Sequence, residues 1–234
     1  MIDGATKLVA LVGHPVAGSL SPRMQNAAFA ARAIDWAYVP LDVEPAGLEA
    51  AVAGLVAGGY AGANVTIPHK QAVAALCDEA EGESVNTLVF REGRILGFNT
   101  DKEIVAGIEA QAVCLLGSGG AAHALLAALA GEVRVFSRRG AWPPDASGCD
   151  LIVNATPVRD ELLVEPRPEH AVVDLAYKPD GTPTALVRAA REAGARLVVD
   201  GLEGLVRQGA ASFRLWTGIE PPLETMRTAL GLAP

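Results

Sequence analysis

Apolar and polar positions along this 234-residue chain alternate in short blocks, which divide into strand-like runs and segments with helical spacing. In the first hundred residues the pattern predicts strands, helices and a hairpin that turns at Glu92-Gly93. Ser21 before Pro22 is typical of a helix N-cap with proline in the first turn. The strands are expected over 7–13, 36–43 and 62–67, the helices over 22–32, over 45–57 and from Pro68 onward, and the hairpin arms over 85–90 and 94–98.

The second half of the chain has the same character and predicts about five further strands. A helix is expected in the Ala/Leu-rich segment that follows the small residues 117–122, and the prolines and glycines between 141 and 148 predict a loop there. The other strands are expected near 113–116 and over 133–136, 150–155, 171–176 and 196–199, and the helices over 183–192, 204–215 and 222–230. Strands that alternate with helices indicate an α/β protein with parallel sheets.

A glycine-rich turn joins the strand near 113–116 to the helix that follows it. Gly117, Gly119 and Ala122 match the G-x-G-x-x-G/A pattern, whose small residues let the backbone approach a pyrophosphate at a helix N-terminus. The flanking strand and helix are the context that this pattern requires. A glycine-rich turn that binds no ligand stays the alternative, because the pattern alone has low specificity.

The end of the next strand indicates which dinucleotide the turn would hold. About twenty residues after Gly117, where an NAD site normally has an Asp or Glu, the chain reads Ser137-Arg138-Arg139. An arginine at this point suits a 2′-phosphate, so NADP is the predicted cofactor. Two solvated arginines at a strand end are the alternative.

Composition and charge narrow the class of protein. Hydrophobic residues make up 50% of the chain and the formal net charge is −8, which argues against a general nucleic-acid or anionic-membrane binder. No apolar stretch reaches the roughly eighteen residues of a membrane span, and no signal-peptide core is present at the N-terminus, so a cytoplasmic protein is expected. Three widely spaced cysteines and four histidines without ligand spacing predict neither disulfides nor a metal site.

Eight motifs in order resemble those of the shikimate dehydrogenase family, and they extend over nearly the whole chain. One such match could arise by chance, whereas the whole series is specific. The motifs are GHPVAGSLSP (13–22), NVTIPHK (64–70), VNT (85–87), GFNTD (97–101), LLGSGGAA (115–122), VNATP (153–157), VVDLAYKP (172–179) and QGAASFRLWTG (208–218).

The resemblance implies a two-domain α/β enzyme that reduces 3-dehydroshikimate to shikimate with NADPH in aromatic amino-acid biosynthesis. Residues 1–101 would form an α/β substrate-binding domain, and 102–206 a reduced Rossmann-type, doubly wound parallel-sheet domain for NADP. Residues 207–234 would be helices that return to the substrate domain. The expected partners are the small-molecule substrate and the cofactor, with no nucleic acid and no membrane, and the protein is expected to be a monomer or a homodimer.

Lys70 and Asp101 are the catalytic residues that the resemblance implies. Reduction of a carbonyl needs a hydride donor and a group that protonates the forming alkoxide, and a positioned lysine can supply that proton. Asp101 would lie opposite Lys70 in a cleft between the domains and orient the substrate hydroxyl. The alternative for Lys70 is a solvated lysine at a helix start, and for Asp101 it is a turn residue or a helix cap.

The family motifs also assign substrate and cofactor contacts. Ser19 and Ser21 would hold the substrate carboxylate through their hydroxyls, although Ser21 could serve as a helix N-cap as well. Asn86 would donate to and accept from ring hydroxyls, unless it is a plain turn residue, and Tyr177 would touch the substrate, unless it is a packing aromatic. The remaining substrate contacts are Thr66 and Gln208, and the cofactor contacts are Gly117, Ser118, Gly119, Gly120, Ala121, Ser137, Arg138, Arg139, Asn154, Thr156 and Gly201.

The chain departs from the family pattern at several points. Gly18 and Gln25 stand where the family usually has histidines, which puts substrate affinity or loop order in doubt. The segments 70–86 and 101–117 are shorter than usual. The largest loss lies between Arg139 and Asp150, where the family normally has a helix and another strand. Loss of that unit beside the adenosine end would weaken cofactor binding while leaving Lys70 and Asp101 in place.

Two other functions stay open on the sequence. A quinate/shikimate dehydrogenase of relaxed specificity is the near alternative, because both substrates share the ring and the carboxylate. A catalytically weak paralogue that binds nucleotide or substrate as a regulatory module belongs to a different class. The presence of Lys70, Asp101 and Asn86 together argues against that module, since pure binding does not need a proton-transfer pair.

Overall fold

The computed structural model describes residues 2–233, and the chain divides into two compact units. The first unit combines Met1–Thr100 with Val206–Pro234, and the second comprises Asp101–Leu205. Of the helices described, none is both long and apolar enough to cross a membrane. Over the same residues, no three His, Cys, Asp or Glu side chains are grouped so that they could hold a metal ion.

Strands and helices follow one another along most of the chain. The strands are β1 (Lys7–Gly13), β2 (Trp36–Asp42), β3 (Gly62–Val65), β4 (Glu79–Ala80), β5 (Thr87–Arg91), β6 (Arg94–Phe98), β7 (Ala112–Leu116), β8 (Glu132–Phe136), β9 (Leu151–Asn154), β10 (Ala171–Asp174) and β11 (Leu197–Val199). The α-helices are α1 (Ser21–Ala31), α2 (Leu48–Ala57), α3 (Lys102–Val105), α4 (Gly120–Leu126), α5 (Ala185–Glu192), α6 (Gly201–Thr217) and α7 (Leu223–Ala229). Two 3₁₀ helices are Pro45–Gly47 and Val73–Leu76.

The first unit is built on a six-stranded sheet with the order β2-β1-β3-β5-β6-β4. β1 is parallel to β2 and β3, whereas β5 is antiparallel to both β3 and β6. The carboxyl ends of β1, β2, β3 and β6 therefore meet the amino end of β5 along one edge of the sheet. Ligands of open α/β sheets bind outside such carboxyl ends.

Helices cover this sheet, and the apolar runs of its strands are their contact surface. Ala10, Val12 and Val65 pack in one buried cluster with Val52 and Leu55 of α2. α1 packs against α7, and an aromatic ring of α1 stacks on one of α6 with centroids 5.5 Å apart. Both alternating sets of β1 side chains are thus buried, which explains why its sequence is almost continuously hydrophobic.

The second unit holds a five-stranded, wholly parallel sheet with the order β11-β10-β9-β7-β8. The usual Rossmann order is 3-2-1-4-5-6. With β7 and β8 as the first two strands, β9, β10 and β11 occupy the places of the fourth, fifth and sixth, and the outer third strand is absent. The order reverses between β7 and β9, the switch point where such sheets bind nucleotides.

A loop replaces the missing strand and helix. Residues 137–150, all of them described, form neither a helix nor a strand. Ala146 and Cys149 from this loop pack with Phe136 and Ile152 in a buried cluster. The loop therefore covers a sheet face that a helix would otherwise cover, and β8 forms the edge of the sheet.

The predicted α/β class and Rossmann-type sheet are confirmed, but a helix from Pro68 onward is wrong. The backbone after Pro68 forms turns before the short 3₁₀ helix Val73–Leu76. Two long-range bonds explain the difference. The His69 ring contacts the Val43 carbonyl at 2.7 Å, and the Lys70 carbonyl accepts from the Val85 N–H at 2.9 Å, so it is bonded outside a helical pattern.

Smaller differences concern boundaries. Ser21 is the first residue of α1 and not its N-cap, because Leu20 already has helical dihedrals. The helix expected from Pro45 begins as 3₁₀, and α5 begins at Ala185, where Thr184 accepts from the Val187 N–H. The two-residue strand β4, which pairs with β6, had no clear apolar pattern to predict it.

Candidate active site

Two of the substrate contacts expected in the first unit, Thr66 and Asn86, lie with the expected catalytic residue Lys70 at the edge where its strand ends meet. Thr66 and Lys70 follow β3, Asn86 precedes β5, and Thr100 follows β6. We refer to the edge formed by these four residues as the polar edge. Sheet topology brings them together from three separate stretches of sequence.

The turn from Thr66 to Lys70 is fixed against neighbouring strands. The Thr66 N–H donates to the Val12 carbonyl at 2.9 Å, and the His14 N–H donates to the Ile67 carbonyl at 2.9 Å. A Cβ on Gly13 would lie 2.3 Å from the Thr66 side chain, so only glycine allows this close approach. Lys70 is half-buried, and its carbonyl bond to Val85 joins the turn to the segment that leads to Asn86.

Asn86 has one amide orientation, which its neighbours set. Its Oδ1 accepts from the Thr100 N–H at 2.8 Å, from the Thr100 hydroxyl at 3.0 Å and from the Thr87 hydroxyl at 3.1 Å. The backbone is paired as well, since the Asn86 carbonyl accepts from Val65 N–H at 2.8 Å. Because its Oδ1 already accepts three hydrogen bonds inside the protein, Asn86 does not offer this oxygen to a ligand as an acceptor.

A buried polar cluster beneath the polar edge supports this orientation. Asn64 Nδ2 donates to the Thr87 and Ser212 hydroxyls at 3.1 and 3.0 Å, and its Oδ1 accepts from Tyr38 at 2.8 Å. Ser212 contacts the Thr87 hydroxyl at 2.8 Å and donates to the Gln208 carbonyl at 3.1 Å. Helix α6, which carries the predicted contact Gln208, is thus joined to the strand that follows Asn86.

Ser19 and Ser21 lie where the loop after β1 enters α1. The Ser19 hydroxyl accepts from the Ser21 N–H at 3.3 Å, whereas Ser21 is buried and caps no helix in the part of the chain described. Gln25, one turn later, donates to the Gly209 carbonyl of α6 at 2.9 Å. Its Oε1 is the one buried side-chain nitrogen or oxygen without a partner among residues 2–233.

Asp101 is the residue after Thr100 and directly precedes α3. It is buried, and its carbonyl accepts from the Ile104 N–H at 2.9 Å. Its side chain makes no capping bond to α3 in the structure described. Asp101 thus occupies the N-cap position of α3, whereas Ser21 lies within α1 and the N-cap interpretation is wrong for it.

In the second unit, the glycine-rich turn meets the requirements of a dinucleotide site. Gly117 has φ +112°, and a Cβ there would lie 3.0 Å from the Ala155 carbonyl oxygen, so the turn depends on glycine. A Cβ on Gly119 or Gly120 would meet nothing within 4 Å, and Ser118 is exposed, so the outer side of the turn is open. Gly120 and Ala121 begin α4. The turn thus has room for a pyrophosphate.

Asn154 and Thr156 are both expected to contact the cofactor, but Asn154 is buried and Thr156 is only half-buried. Asn154 is 2% exposed, and its Oδ1 accepts from the Thr156 N–H at 3.0 Å and the Thr156 hydroxyl at 2.7 Å. Its Nδ2 donates to Asp174 at 2.8 Å. Both branches of the Asn154 amide are therefore used inside the protein, where they shape the turn that lies against Gly117.

Asp174 is the centre of this arrangement, and sequence reasoning did not single it out. Besides Asn154, it accepts from the Ala176 N–H at 2.9 Å and from the Thr184 hydroxyl at 2.5 Å, at the start of α5. Burial raises the pKa of its carboxyl, although these hydrogen bonds oppose the shift. The available signal was an acidic residue at the end of an apolar strand, within the motif VVDLAYKP (172–179).

Tyr177 and Gly201 lie on either side of the same turn. Tyr177 is half-buried and follows Ala176 directly. A Cβ on Gly201, the first residue of α6, would lie 2.4 Å from the Ala176 carbonyl oxygen. Glycine is therefore required there by the close packing of α6 on the turn after β10, whether or not a nicotinamide also approaches it.

The arginines expected to bind a 2′-phosphate follow β8 in a tight turn. The Ser137 N–H donates to the Ala141 carbonyl at 3.0 Å, and Arg138 and Arg139 are exposed at its tip. The Arg138 guanidinium lies 5.8 Å from the centre of the Trp142 ring. Its Nη2 lies 3.7 Å from Glu161 Oε2. No sequence signal points to this carboxylate, because it comes from a different loop.

The second unit is of Rossmann type and has an open glycine-rich turn, and the first is an α/β unit with a polar strand edge. These features define a class of two-unit proteins that depend on a dinucleotide. Residues 11–88 match the shikimate dehydrogenase substrate binding domain, and residues 201–230 match the shikimate 5′-dehydrogenase C-terminal domain. A shikimate dehydrogenase (NADP(+)) from Rubrobacter xylanophilus is 41% identical, with 98% of this chain and 97% of that protein covered. The chain therefore belongs to the shikimate dehydrogenase family.

Solved structures agree with this relationship. Shikimate 5-dehydrogenase from Thermus thermophilus, in complex with NADP(H) and shikimate, has a TM-score of 0.84 and 32% identity, with 97% of this chain and 99% of that chain covered. Quinate dehydrogenase from Corynebacterium glutamicum, in complex with NAD, has a TM-score of 0.79 and 26% identity, with coverage of 96% and 98%.

Proposed function

We propose that this protein catalyses the reversible, NADP-dependent interconversion of 3-dehydroshikimate and shikimate. The observation that carries the proposal is the polar edge, where Thr66, Lys70, Asn86 and Thr100 come from three sequence motifs of one family. The near full-length similarity to shikimate dehydrogenases supports the same reaction. The Rossmann-type second unit supplies a place for the cofactor.

In this proposal the second unit binds NADP and the first binds the substrate. The Gly117–Ala121 turn receives the pyrophosphate, because its outer side is open and its backbone can approach the ligand closely. Arg138, with Ser137 and Arg139, receives the 2′-phosphate. When bound, the nicotinamide carries the hydride that the reaction transfers. Thr156 and Gly201 border this region, and Asn154 holds the Thr156 turn in shape.

Lys70 acts as the general acid and base at the substrate oxygen that becomes the carbonyl. In the reductive direction it gives a proton to the forming alkoxide, and in the oxidative direction it takes that proton back. Asp101 orients the hydroxyl and shares the proton with Lys70.

The substrate is held by neutral donors and hydroxyls. Ser19 and Ser21 bind its carboxylate, and Asn86 donates from its amide nitrogen to a ring oxygen. Thr66, Tyr177 and Gln208 complete the contacts. Because the oxygen of Asn86 is bonded to Thr100 and Thr87, the substrate oxygen that meets Asn86 must accept a hydrogen bond.

Activity on quinate as well is the second candidate. It is favoured by the similarity to quinate dehydrogenase of Corynebacterium glutamicum, although at lower identity than to shikimate dehydrogenases. Quinate and shikimate share the carboxylate and hydroxyls that this set of side chains would bind. Turnover of quinate at a rate comparable with shikimate would favour the broader activity.

The proposal is tested by initial rates of NADP reduction with purified protein and either shikimate or quinate, with the Lys70→Ala variant beside the wild type. Turnover of shikimate that is lost in the variant is the expected result. Absence of turnover with both substrates would contradict the proposal and favour a binding module. We also propose that the protein is cytoplasmic and is either a monomer or a homodimer. Light scattering after gel filtration would distinguish the monomer from the homodimer.

A further inference from the structure

We propose that Glu161 is a specificity-determining residue that weakens the preference for NADP over NAD. Glu161 Oε2 lies 3.7 Å from Nη2 of Arg138, the side chain assigned to the 2′-phosphate. The strand end itself, Ser137-Arg138-Arg139, has no carboxylate. The inference rests on two parts of the proposed function, namely that the second unit binds a nicotinamide dinucleotide and that Arg138 meets its 2′-phosphate.

The backbone that carries Glu161 is anchored on its amino-terminal side. The Arg159 carbonyl accepts from the Ala185 N–H of α5 at 2.7 Å. Asp160 forms an ion pair with Lys178 at 2.5 Å, and the lysine side chain is only 23% exposed. The position of Glu161 therefore follows from contacts of its neighbours and does not depend on the exposed pair with Arg138 alone.

The backbone is also anchored on its carboxyl-terminal side. Leu163 and Val164 pack against the buried cluster that contains Phe136, the last residue of β8. Phe136 is two residues before Arg138, so this packing joins the Glu161 segment to the strand from which Arg138 extends. The backbone that carries Glu161 is thus held beside the arginine turn from both sides.

A carboxylate at this position acts on the two cofactors in opposite directions. It competes with a 2′-phosphate for the Arg138 guanidinium and repels the phosphate as a like charge. A ribose 2′-hydroxyl, in contrast, can donate a hydrogen bond to a carboxylate, which is how NAD sites normally bind it. Glu161 therefore disfavours NADP and favours NAD, although it lies outside the strand end where this choice is normally made.

The test compares Glu161→Gln with the wild type by direct binding of NADP⁺ and NAD⁺, measured by titration calorimetry at low salt. The substitution keeps the size of the side chain and removes its charge. We expect the ratio of the Kd for NAD⁺ to the Kd for NADP⁺ to rise about three- to tenfold, as for a like charge removed near a water-exposed phosphate. Adenosine 2′,5′-bisphosphate, which has the 2′-phosphate but no nicotinamide, should bind more tightly by a similar factor.

Glu169→Gln is the matched control. Glu169 forms an equally exposed pair with Arg167 at 3.9 Å, in the same loop but just before the amino end of β10. The Glu169→Gln substitution removes the same charge at the opposite edge of the parallel sheet. The ratio of the two dissociation constants in this variant should therefore equal that of the wild type. A ratio that rises as much in this control would show an effect of net charge and overturn the proposal.

An unchanged ratio in Glu161→Gln would overturn the inference while leaving the proposed function intact. Binding of both dinucleotides without any turnover of shikimate would instead contradict the proposed function and leave the role of Glu161 measurable. If the wild type binds neither dinucleotide, the assignment of a nucleotide site to the second unit is contradicted, and the inference about Glu161 is overturned as well.

Discussion

Lys70 owes its position to its backbone and not to a helix. Its carbonyl accepts from Val85 at 2.9 Å, and the residue before it, His69, is buried with its ring against the Val43 carbonyl at 2.7 Å. The amine at the end of a flexible side chain thus starts from a well-held point beside Asn86. The family motif identified Lys70 from the sequence, but the cross-chain bonds that hold it could not be predicted from local propensity.

Replacement of Lys70 by alanine should lower kcat by about 10²–10⁴, the usual contribution of positioned proton transfer. The KM for NADP should hardly change, because Lys70 belongs to the first unit, whereas the glycine-rich turn is in the second. Steady-state kinetics with both substrates varied would measure this. Lys7→Ala is the control, because Lys7 begins β1 and lies at the opposite edge of the same sheet. A Lys70→Ala enzyme that keeps most of its kcat would remove Lys70 from the mechanism.

At the scale of elements, the apolar runs predicted the central strands of both sheets well, because strands such as β1, β9 and β10 are buried on both faces. The prediction failed where long-range bonds replaced local ones, as after Pro68. It also missed Asp174 and Asn64, since buried polar residues carry no periodic signal. The site residues could be named from motifs, but whether Asn86 donates or accepts depends on Thr100, which only the fold brings near.

Asp174→Ala should lower the free energy of unfolding by about 3 kcal/mol. The substitution would leave three donors without their acceptor, each costing roughly 1–3 kcal/mol when buried, offset in part by relief of a buried charge. Denaturant titration would measure the change. Asp180→Ala is the control, since its carboxylate only bonds locally to Thr182 in an exposed turn, and it should cost about 1 kcal/mol or less. A change of similar size in both variants would contradict the central role given to Asp174.

Asp150 makes stability depend on pH in a predictable direction. Burial alone would raise the pKa of its carboxyl, but N–H groups of Gln111 and Ala112 outweigh this effect and lower it. A lowered pKa means that the stabilisation is present above the unfolded value, near pH 3.9, and is lost as the pH falls through the folded value. In Asp150→Asn, unfolding free energies at pH 7 and about pH 3.5 should therefore differ less than in the wild type. An equal or larger difference would show that these bonds do not favour the ionised form.

At the scale of the whole molecule, the chain is a shikimate dehydrogenase family member whose second unit has lost an outer strand and helix. The loop 137–150 fills the space on the sheet, but it leaves Arg138 with 72% of its side chain exposed. The deletion could be recognised from sequence length between motifs. The approach of Glu161 to Arg138 could not, because it depends on how two irregular loops pack.

Exposure of Arg138 should make NADP binding sensitive to salt. Arg138→Ala is expected to raise the Kd for NADP about ten- to a hundredfold at low ionic strength, and less at 1 M salt, where charges are screened within about 3 Å. The Kd for NAD should change little, since NAD has no 2′-phosphate. Calorimetric titration at two salt concentrations would measure both, with Arg167→Ala as the control. Equal losses for NAD and NADP would contradict the assignment of Arg138 to the phosphate.

The most direct test of the central claim is the reductive reaction itself. Purified protein is mixed with NADPH and 3-dehydroshikimate, NADPH consumption is followed by absorbance, and the product is identified by chromatography and mass. We expect stoichiometric conversion of 3-dehydroshikimate to shikimate by the wild type and loss of this conversion in Lys70→Ala. NADPH that stays unoxidised in the presence of wild-type protein known to bind it would contradict the account.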